Sequence, residues 1–512
     1  MLASGLAASL LLAPMTSFKN RVEDWRYGAI VYQVFVDRFV PAPNLKEKLS
    51  LYKHPQQLRN WEELPKPTPY DPILKTYPHV LEFWGGDLPS LRSKLGYIKD
   101  LGTDVLYLNP IFKSPSNHKY DTEDYFAIDP QYGSSKDYQA LIKDVHRSKM
   151  RLMLDGVFNH IGATSPIFQA AKQDPKSPYR DWFFFGPEYA EGYRGWSGVA
   201  SLPALKLETK AVRDYLWSAK GSVVQKFLKE GLDGWRLDVA FELGPNLLAN
   251  LTKAAHKAKK DSIVIGEISG YPAEWSGAVD GVFNFTPINL GIAMLEGKVT
   301  GGKMGEMLDD MVADAGIEQL LRSWLLTDNH DTDRFASVVK DPETRNLVRT
   351  LQFTLPGSPC LYYGSELGME GIGDPGCRAP MRWNLVTDAN PDLISTKTLI
   401  ALRKAHPALR YGDCKALRSD RLLAFIRTTD QVKQAVLVVM NPTHQTVKET
   451  FTSRLGRVLS WGELQDIQTG QRIRSITGLI DIEVPARTVR IFAPVVTPSG
   501  GYSPYDRLNG QL

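Results

Sequence analysis

Eight short apolar or β-branched runs recur along most of the chain, at residues 29–36, 104–109, 151–155, 234–238, 263–267, 281–285, 324–328 and 360–364, with longer helical patterns between them. A chain that alternates in this way builds parallel strands joined by crossover helices. Eight such units predict an α/β fold, a closed (β/α)8 barrel of the TIM type. Segments 91–101, 138–150, 212–230 and 246–259 repeat apolar residues at spacings of three and four with charges on the opposite face, so they are read as outer helices.

Two stretches break the alternation. Residues 41–80 are Pro-rich and polar and follow the first strand, where a barrel places its upper loops. Residues 161–208 follow the third strand, are rich in Trp, Tyr, Phe, Gly and Pro, and are expected to form an excursion domain beside the barrel mouth. The barrel itself is assigned to residues 25–160 and 209–410. From 411 to 496 short strands with turn signals at 422–427, 435–440, 457–460 and 488–492 read as a C-terminal all-β sandwich. Residues 497–512 are expected to be a flexible tail.

Residues 1–24 form an N-terminal segment. Its apolar stretch from Leu2 to Met15 has the length of a signal-peptide core and is too short to span a bilayer, although no Lys or Arg precedes it. A secreted or periplasmic protein is one reading; a cytoplasmic protein with an apolar arm is the other. No other run approaches membrane length, so no integral membrane segment is expected. With 61 basic and 57 acidic residues the net charge is only +4, which offers no field to hold nucleic acid and suits an uncharged substrate. Cys360, Cys377 and Cys414 have neither paired nor metal-ligand spacing and are read as buried thiols. The run from Gly371 to Gly376 matches GxGxxG, but Pro375 and the lack of a following helix disqualify it as a nucleotide turn.

In a barrel of this kind, polar residues at the C-terminal strand ends face the active-site mouth. That rule selects Asp155, Asn159 and His160 after the third strand, Arg236 and Asp238 at the fourth, Glu267 at the fifth, and His330 and Asp331 after the seventh. Cleavage of a glycosidic bond with retention needs two carboxyl groups about 5–5.5 Å apart. Adjacent strands stand about 4.8 Å apart, which suits Asp238 and Glu267. Arg236 shares the strand face of Asp238 and would keep it ionised as a nucleophile. Glu267 has no such neighbour in sequence and could hold the raised pKa of a general acid. Asp331, His160 and His330 would bind hydroxyls of the distorted sugar.

These segments resemble the α-amylase family of glycoside hydrolases. The resemblance rests on DGVFNH at Asp155 to His160, GWRLD at Gly234 to Asp238, Gly266-Glu267, and Asn329-His330-Asp331, with a looser LPALK at Leu202 to Lys206. Flanking runs agree: FWGGD ending at Asp87, Tyr120-Asp121, PCLYYGSE ending at Glu366, and RAPMRW from Arg378. The likeness implies Asp238 as nucleophile, Glu267 as acid/base and Asp331 as transition-state stabiliser. It also implies that Tyr120 stacks on the sugar, while Asp155, His160, Arg236 and His330 complete that subsite. Within the family, the segment from Asp374 to Met381 and the Val239-Ala-Phe-Glu242 run look most like neopullulanases and cyclomaltodextrinases. Those enzymes usually carry an extra N-terminal β-domain; here the first barrel strand begins by about residue 29.

The implied substrate is an α-1,4-glucan such as starch or a maltodextrin, and the chemistry requires no cofactor. Asn159 stands where many family members bind a structural calcium ion; the alternative is a side-chain hydrogen bond holding the loop. The excursion offers Asp174, Asp181, Glu188 and Glu191 without a compact oxygen-ligand pattern. The aromatic cluster of Trp182 to Phe185, Tyr189, Tyr193 and Trp196 could line outer subsites or form the small domain's core. A glycosyltransferase of the same family and a non-catalytic carbohydrate-binding scaffold are the competing functions, and all three carboxylates that a catalyst needs are present.

Overall fold

The computed structural model describes residues 16–453 and 461–496. The apolar stretch from Leu2 to Met15, the run at 457–460 and the tail at 497–512 lie outside the described residues.

Eight parallel strands form the centre: Val31–Val34 (β1), Val105–Leu108 (β2), Arg151–Gly156 (β3), Gly234–Leu237 (β4), Ile263–Gly266 (β5), Gly281–Val282 (β6), Trp324–Leu326 (β7) and Ser358–Tyr362 (β8). They follow one another around the sheet in chain order, with β8 returning to β1. The remaining seam between β6 and β7 is closed by a parallel bridge from Phe283 to Trp324 and by Asn284 N–H donating to Trp324 O at 2.8 Å. The predicted barrel is therefore present, with every strand overlapping its predicted run and the eighth beginning two residues earlier, at Ser358.

The strands are largely apolar because both of their faces are covered, with Gln33, Asp155 and Arg236 as polar exceptions that serve the site. Val31, Val105, Tyr107, Met153, Ile263, Ile265, Trp324 and Cys360 fill the inside. Tyr32, Val34, Leu106, Leu108, Leu152, Leu154, Trp235 and Val264 pack outward beneath the helices. The helix Ser135–Arg147 starts at a capping box in which Ser134 and Asp137 satisfy each other's backbone N–H groups. Two predicted helices are broken. The segment at 91–101 divides at Lys94 into Leu88–Ser93 and Leu95–Leu101. The one at 212–230 passes through a π turn at Asp214–Ser218, ends as Ala219 turns extended (φ −82°, ψ 158°), and restarts as Val223–Lys229 after Gly221 takes a left-handed φ of +85°.

The FWGGD run has a structural reason. Asp37 accepts the N–H groups of Trp84 and Gly85, and a Cβ on Gly86 would come within 2.1 Å of Val36 O. The long loop after β1 is thereby stitched to the strand end.

Residues 161–208 contain the helix Pro166–Gln173 and a ladder of single bridges, His160 to Ala204, Phe183 to Leu205, Phe185 to Tyr193 and Gly195 to Pro203. Phe168 packs against Phe183 and Tyr193 with centroids 5.0 and 4.7 Å apart, so these aromatics form the lobe's own core. The C-terminal region is one eight-stranded antiparallel sheet folded on itself. One face, with Phe425, Val438 and Ile491, seats on Met304, Leu308 and Leu351 of the barrel helices. The other encloses Ile426, Val439, Phe451, Ile482 and Phe492. All three cysteines are buried thiols. No helix among the described residues is long and apolar enough to cross a membrane.

Candidate active site

A cavity of about 380 Å³ opens at the C-terminal ends of the strands. Asp238, Glu267, Asp331, Tyr120 and His160 line it, so five of the predicted site residues meet there. Asp155, Arg236 and His330 lie directly beneath as a fully buried polar floor.

Arg236 organises that floor. Asp155 and Arg236 are paired across β3 and β4, and Nη1 of Arg236 donates to both Asp155 oxygens at 2.7 and 2.9 Å. The same Nη1 reaches Asp238 Oδ1 at 3.1 Å, and Nη2 lies 2.6 Å from Glu267 Oε1. One cation thus touches all three carboxylates. Glu267 has no cationic neighbour in sequence but gains one in space, because the fifth strand end lies beside the fourth and the guanidinium fork spans both. Burial first, and the Glu267 carboxylate second, push the Asp238 carboxyl well above the usual range, against the pull of Arg236.

Glu267 is aimed by the backbone. Its Oε2 accepts the N–H of Val239 at 2.8 Å, and Val239 holds a left-handed φ of +47° that costs a β-branched residue about 1–3 kcal/mol. The chain turns sharply after Asp238, and the strained residue presents its amide to the neighbouring carboxylate.

Asp331 stands on the opposite rim and is open to the cavity. Burial of its surroundings would raise its pKa, but His330, Arg378 and Arg236 outweigh that and hold it far below the ordinary carboxylate range. Arg378 Nη2 donates to Oδ1 at 2.8 Å and His330 Nε2 lies 3.0 Å from Oδ2. Gln33 Nε2 approaches His330 Nδ1 at 2.9 Å, and an amide donating there leaves the ring proton on Nε2, toward Asp331 and the Tyr120 hydroxyl at 2.5 Å. The Tyr120 ring stacks on His330 with centroids 5.4 Å apart, and its hydroxyl donates to Asp155 at 2.9 Å.

His160 is buried, and neither ring nitrogen has a hydrogen-bond partner. Its Nε2 is 4.0 Å from Asp238 Oδ2, and its ring stacks on Trp196 at 5.5 Å. Desolvation lowers its pKa to about 4, so the neutral ring faces the cavity.

Asn159 stands apart, on a neighbouring cavity of about 510 Å³. Its Nδ2 donates to Glu242 at 3.0 Å, and Trp196 Nε1 donates to the other Glu242 oxygen at 3.1 Å. Both oxygens of Glu242 are thus engaged by donors, Glu208 lines the same cavity, and no group of three or more His, Cys, Asp or Glu that could hold a metal ion occurs among the described residues.

Sequence reasoning passed over Arg378, His118 and Gln33 as site residues. Arg378 sits in a run noted only as flanking, well beyond the eighth strand. His118 lines the cavity and accepts the Tyr120 N–H at 3.1 Å. Gln33 lies mid-strand, where periodicity marks only that it is buried. Of the aromatic cluster, Trp196 reaches the cavity.

A barrel rim that gathers carboxylates from three strands around one buried guanidinium, beneath a cavity of this size, defines a glycoside hydrolase. The chain belongs to the α-amylase family: the model of the α-amylase catalytic domain matches residues 33–391. A cyclomaltodextrinase of a Bacillus species is 34% identical over 422 residues, covering 79% of this chain and 74% of that protein. Neopullulanase 2 of Thermoactinomyces vulgaris is 32% identical over 436 residues, covering 82% and 70%. The cyclic alpha-maltosyl-(1-->6)-maltose hydrolase of Arthrobacter globiformis, solved with that sugar, superposes with a TM-score of 0.75 at 27% identity, covering 92% of this chain and 99% of that one. The family consists of retaining enzymes that cleave α-glucans.

Proposed function

We propose that this protein hydrolyses α-1,4-glucosidic bonds in maltodextrins and related α-glucans, with Asp238 as nucleophile and Glu267 as acid/base. The observation that carries this reading is the shared contact of Arg236 with Asp238 and Glu267 at one cavity wall. Retaining cleavage requires Glu267 protonated and Asp238 ionised. Glu267 gives its proton to the glycosidic oxygen while Asp238 attacks the anomeric carbon, so the leaving sugar departs as an alcohol and a glycosyl ester forms on Asp238. Glu267, now ionised, takes a proton from water; that water attacks the same carbon and releases Asp238, and two inversions leave the α-anomer.

The other residues serve the oxocarbenium-like transition state. Asp331, kept ionised by Arg378 and His330, accepts hydroxyls of the ring under attack. His160, with two free nitrogens, and the Nε2–H of His330 supply further polar contacts. Tyr120 offers its ring face, and Asp155 fixes Arg236 and Tyr120 in place. The relatives named for cyclic and short maltodextrins support small α-glucans as substrates.

Proton NMR of maltotriose during its first turnovers tests the reading: α-anomers appear first. An initial β-anomer, or no cleavage, would overturn it, and products longer than the substrate would replace hydrolysis with transfer.

A further inference from the structure

The barrel order fixes which end of a glucan lies where. Glu267 protonates the leaving sugar, so the reducing-end side of the chain extends past Glu267, Ser269 and Phe241. The sugars on the non-reducing side extend the opposite way. In a closed ring of eight strands β1 is diametrically opposite β5, so that side is walled by the loop after β1 and its neighbours, through Val80, His118, Asp374 and Arg378.

The loop after β1 does not end at the cavity wall. Its residues 70–77 rise as a tight turn, with Asp71 bridged to Thr76 and Tyr70 packed edge-on against Tyr77 at 5.5 Å. Asp71 Oδ1 accepts the N–H groups of Ile73 and Leu74 at 2.8 and 3.1 Å, and His79 N–H donates to Thr68 Oγ1 at 3.0 Å below. Asn117, beside His118, donates its side-chain amide to the carbonyls of His79 and Glu82 at 2.9 and 2.8 Å, fastening the foot of the turn to the cavity wall. From this turn Lys75 Nζ reaches Glu191 Oε2 at 2.7 Å. Glu191 lies on the turn between Phe185 and Tyr193 of the excursion lobe, whose Trp196 and Leu202 line the cavity from the far side of the β2 loop. The two lobes thus meet above the β2 loop.

We propose that this meeting closes the non-reducing end of the cleft, so that the enzyme attacks glucan chain ends and releases short products of fixed length. The inference rests on the hydrolase reading above and adds its mode of attack. An exposed ion pair contributes little by itself. The barrier is the turn, held at its foot, and Lys75 with Glu191 seals the seam.

The test compares p-nitrophenyl maltoheptaoside with the same compound carrying a cyclic acetal on its non-reducing terminal sugar, with products separated by chromatography. Cleavage of the free-ended compound reads the hydrolase itself, and the ratio between the two reads the wall. The full chain is expected to cut the blocked compound more slowly by about tenfold or more. Replacing residues 71–76 by a Gly-Gly link is expected to bring the two rates together while the free-ended compound is still cut, and Lys75→Glu to move the ratio the same way by less. Equal rates with the full chain would overturn the proposal. So would a turn-deleted variant that cuts the free-ended compound and still rejects the blocked one.

Discussion

Arg236 and Glu267 meet at 2.6 Å across neighbouring strand ends, while the same guanidinium holds Asp238 at 3.1 Å. A planar fork serves two carboxylates where a single ammonium would serve one. Arg236→Lys is therefore expected to lower kcat/KM on maltotriose by about a hundredfold or more. Its acidic limb should move to higher pH, since a single ammonium cannot span both strand ends and Asp238, already raised by burial, would keep only a weaker opposing contact. A pH–rate profile checks this, and an unmoved acidic limb would refute it.

Asp238 makes a separate claim about stability. Its folded pKa lies above its unfolded one, so as pH rises past the ordinary carboxylate range the unfolded chain gives up its proton first and folding weakens. Asp238→Asn removes that loss. The variant is expected to be inactive and to melt higher than the parent at neutral pH, with the gain disappearing below about pH 4. Melting curves at both pH values decide it; a variant less stable at neutral pH contradicts the sign.

His160 has the opposite dependence. Its folded pKa is depressed from 6.5 to about 4 by desolvation, so its contribution is complete above 6.5 and is lost as pH falls toward 4. Over that window it should remove roughly 3 kcal/mol of stability, and His160→Asn should flatten that part of the profile. Chemical denaturation at pH 7 and pH 4.5 measures the slope. Equal slopes in parent and variant would count against a neutral buried ring.

Asn159 tests a structural role. With its amide committed to Glu242, Asn159→Ala should cost about 1–2 kcal/mol from one lost charged hydrogen bond. A chelator should leave the parent's melting temperature unchanged. A chelator-induced drop would restore calcium as the reason for the asparagine.

Arg378→Ala should act chiefly through Asp331, although it also frees the His330 carbonyl and Asp374. Loss of the 2.8 Å contact frees the carboxylate, and kcat is expected to fall by about tenfold to a hundredfold with modest change in KM. Steady-state kinetics on maltotriose separate the two constants; a pure KM effect would mean Arg378 only binds.

Much of this site was legible because strand ends are legible. Asp155, Asp238, Glu267 and Asp331 stand just past apolar runs, and a barrel sends every such end to one rim. Arg378 and His118 were not, because they sit on long loops whose course no periodicity encodes. The helix at 212–230 shows the same limit: its apolar spacing runs on, but the backbone leaves the helix at Ala219 and turns at Gly221 before resuming.

The sequence by itself determined the barrel, its order of strands and which carboxylates crown them, since period and burial are local properties that survive translation into structure. Only the tertiary structure decided how the charges are shared. Arg236 is two residues from Asp238 and thirty-one from Glu267 in the chain, yet it is closer to the glutamate, because hydrogen bonding between β4 and β5 sets their strand ends side by side. Electrostatics falls off with distance through space, and sequence separation carries no measure of that distance.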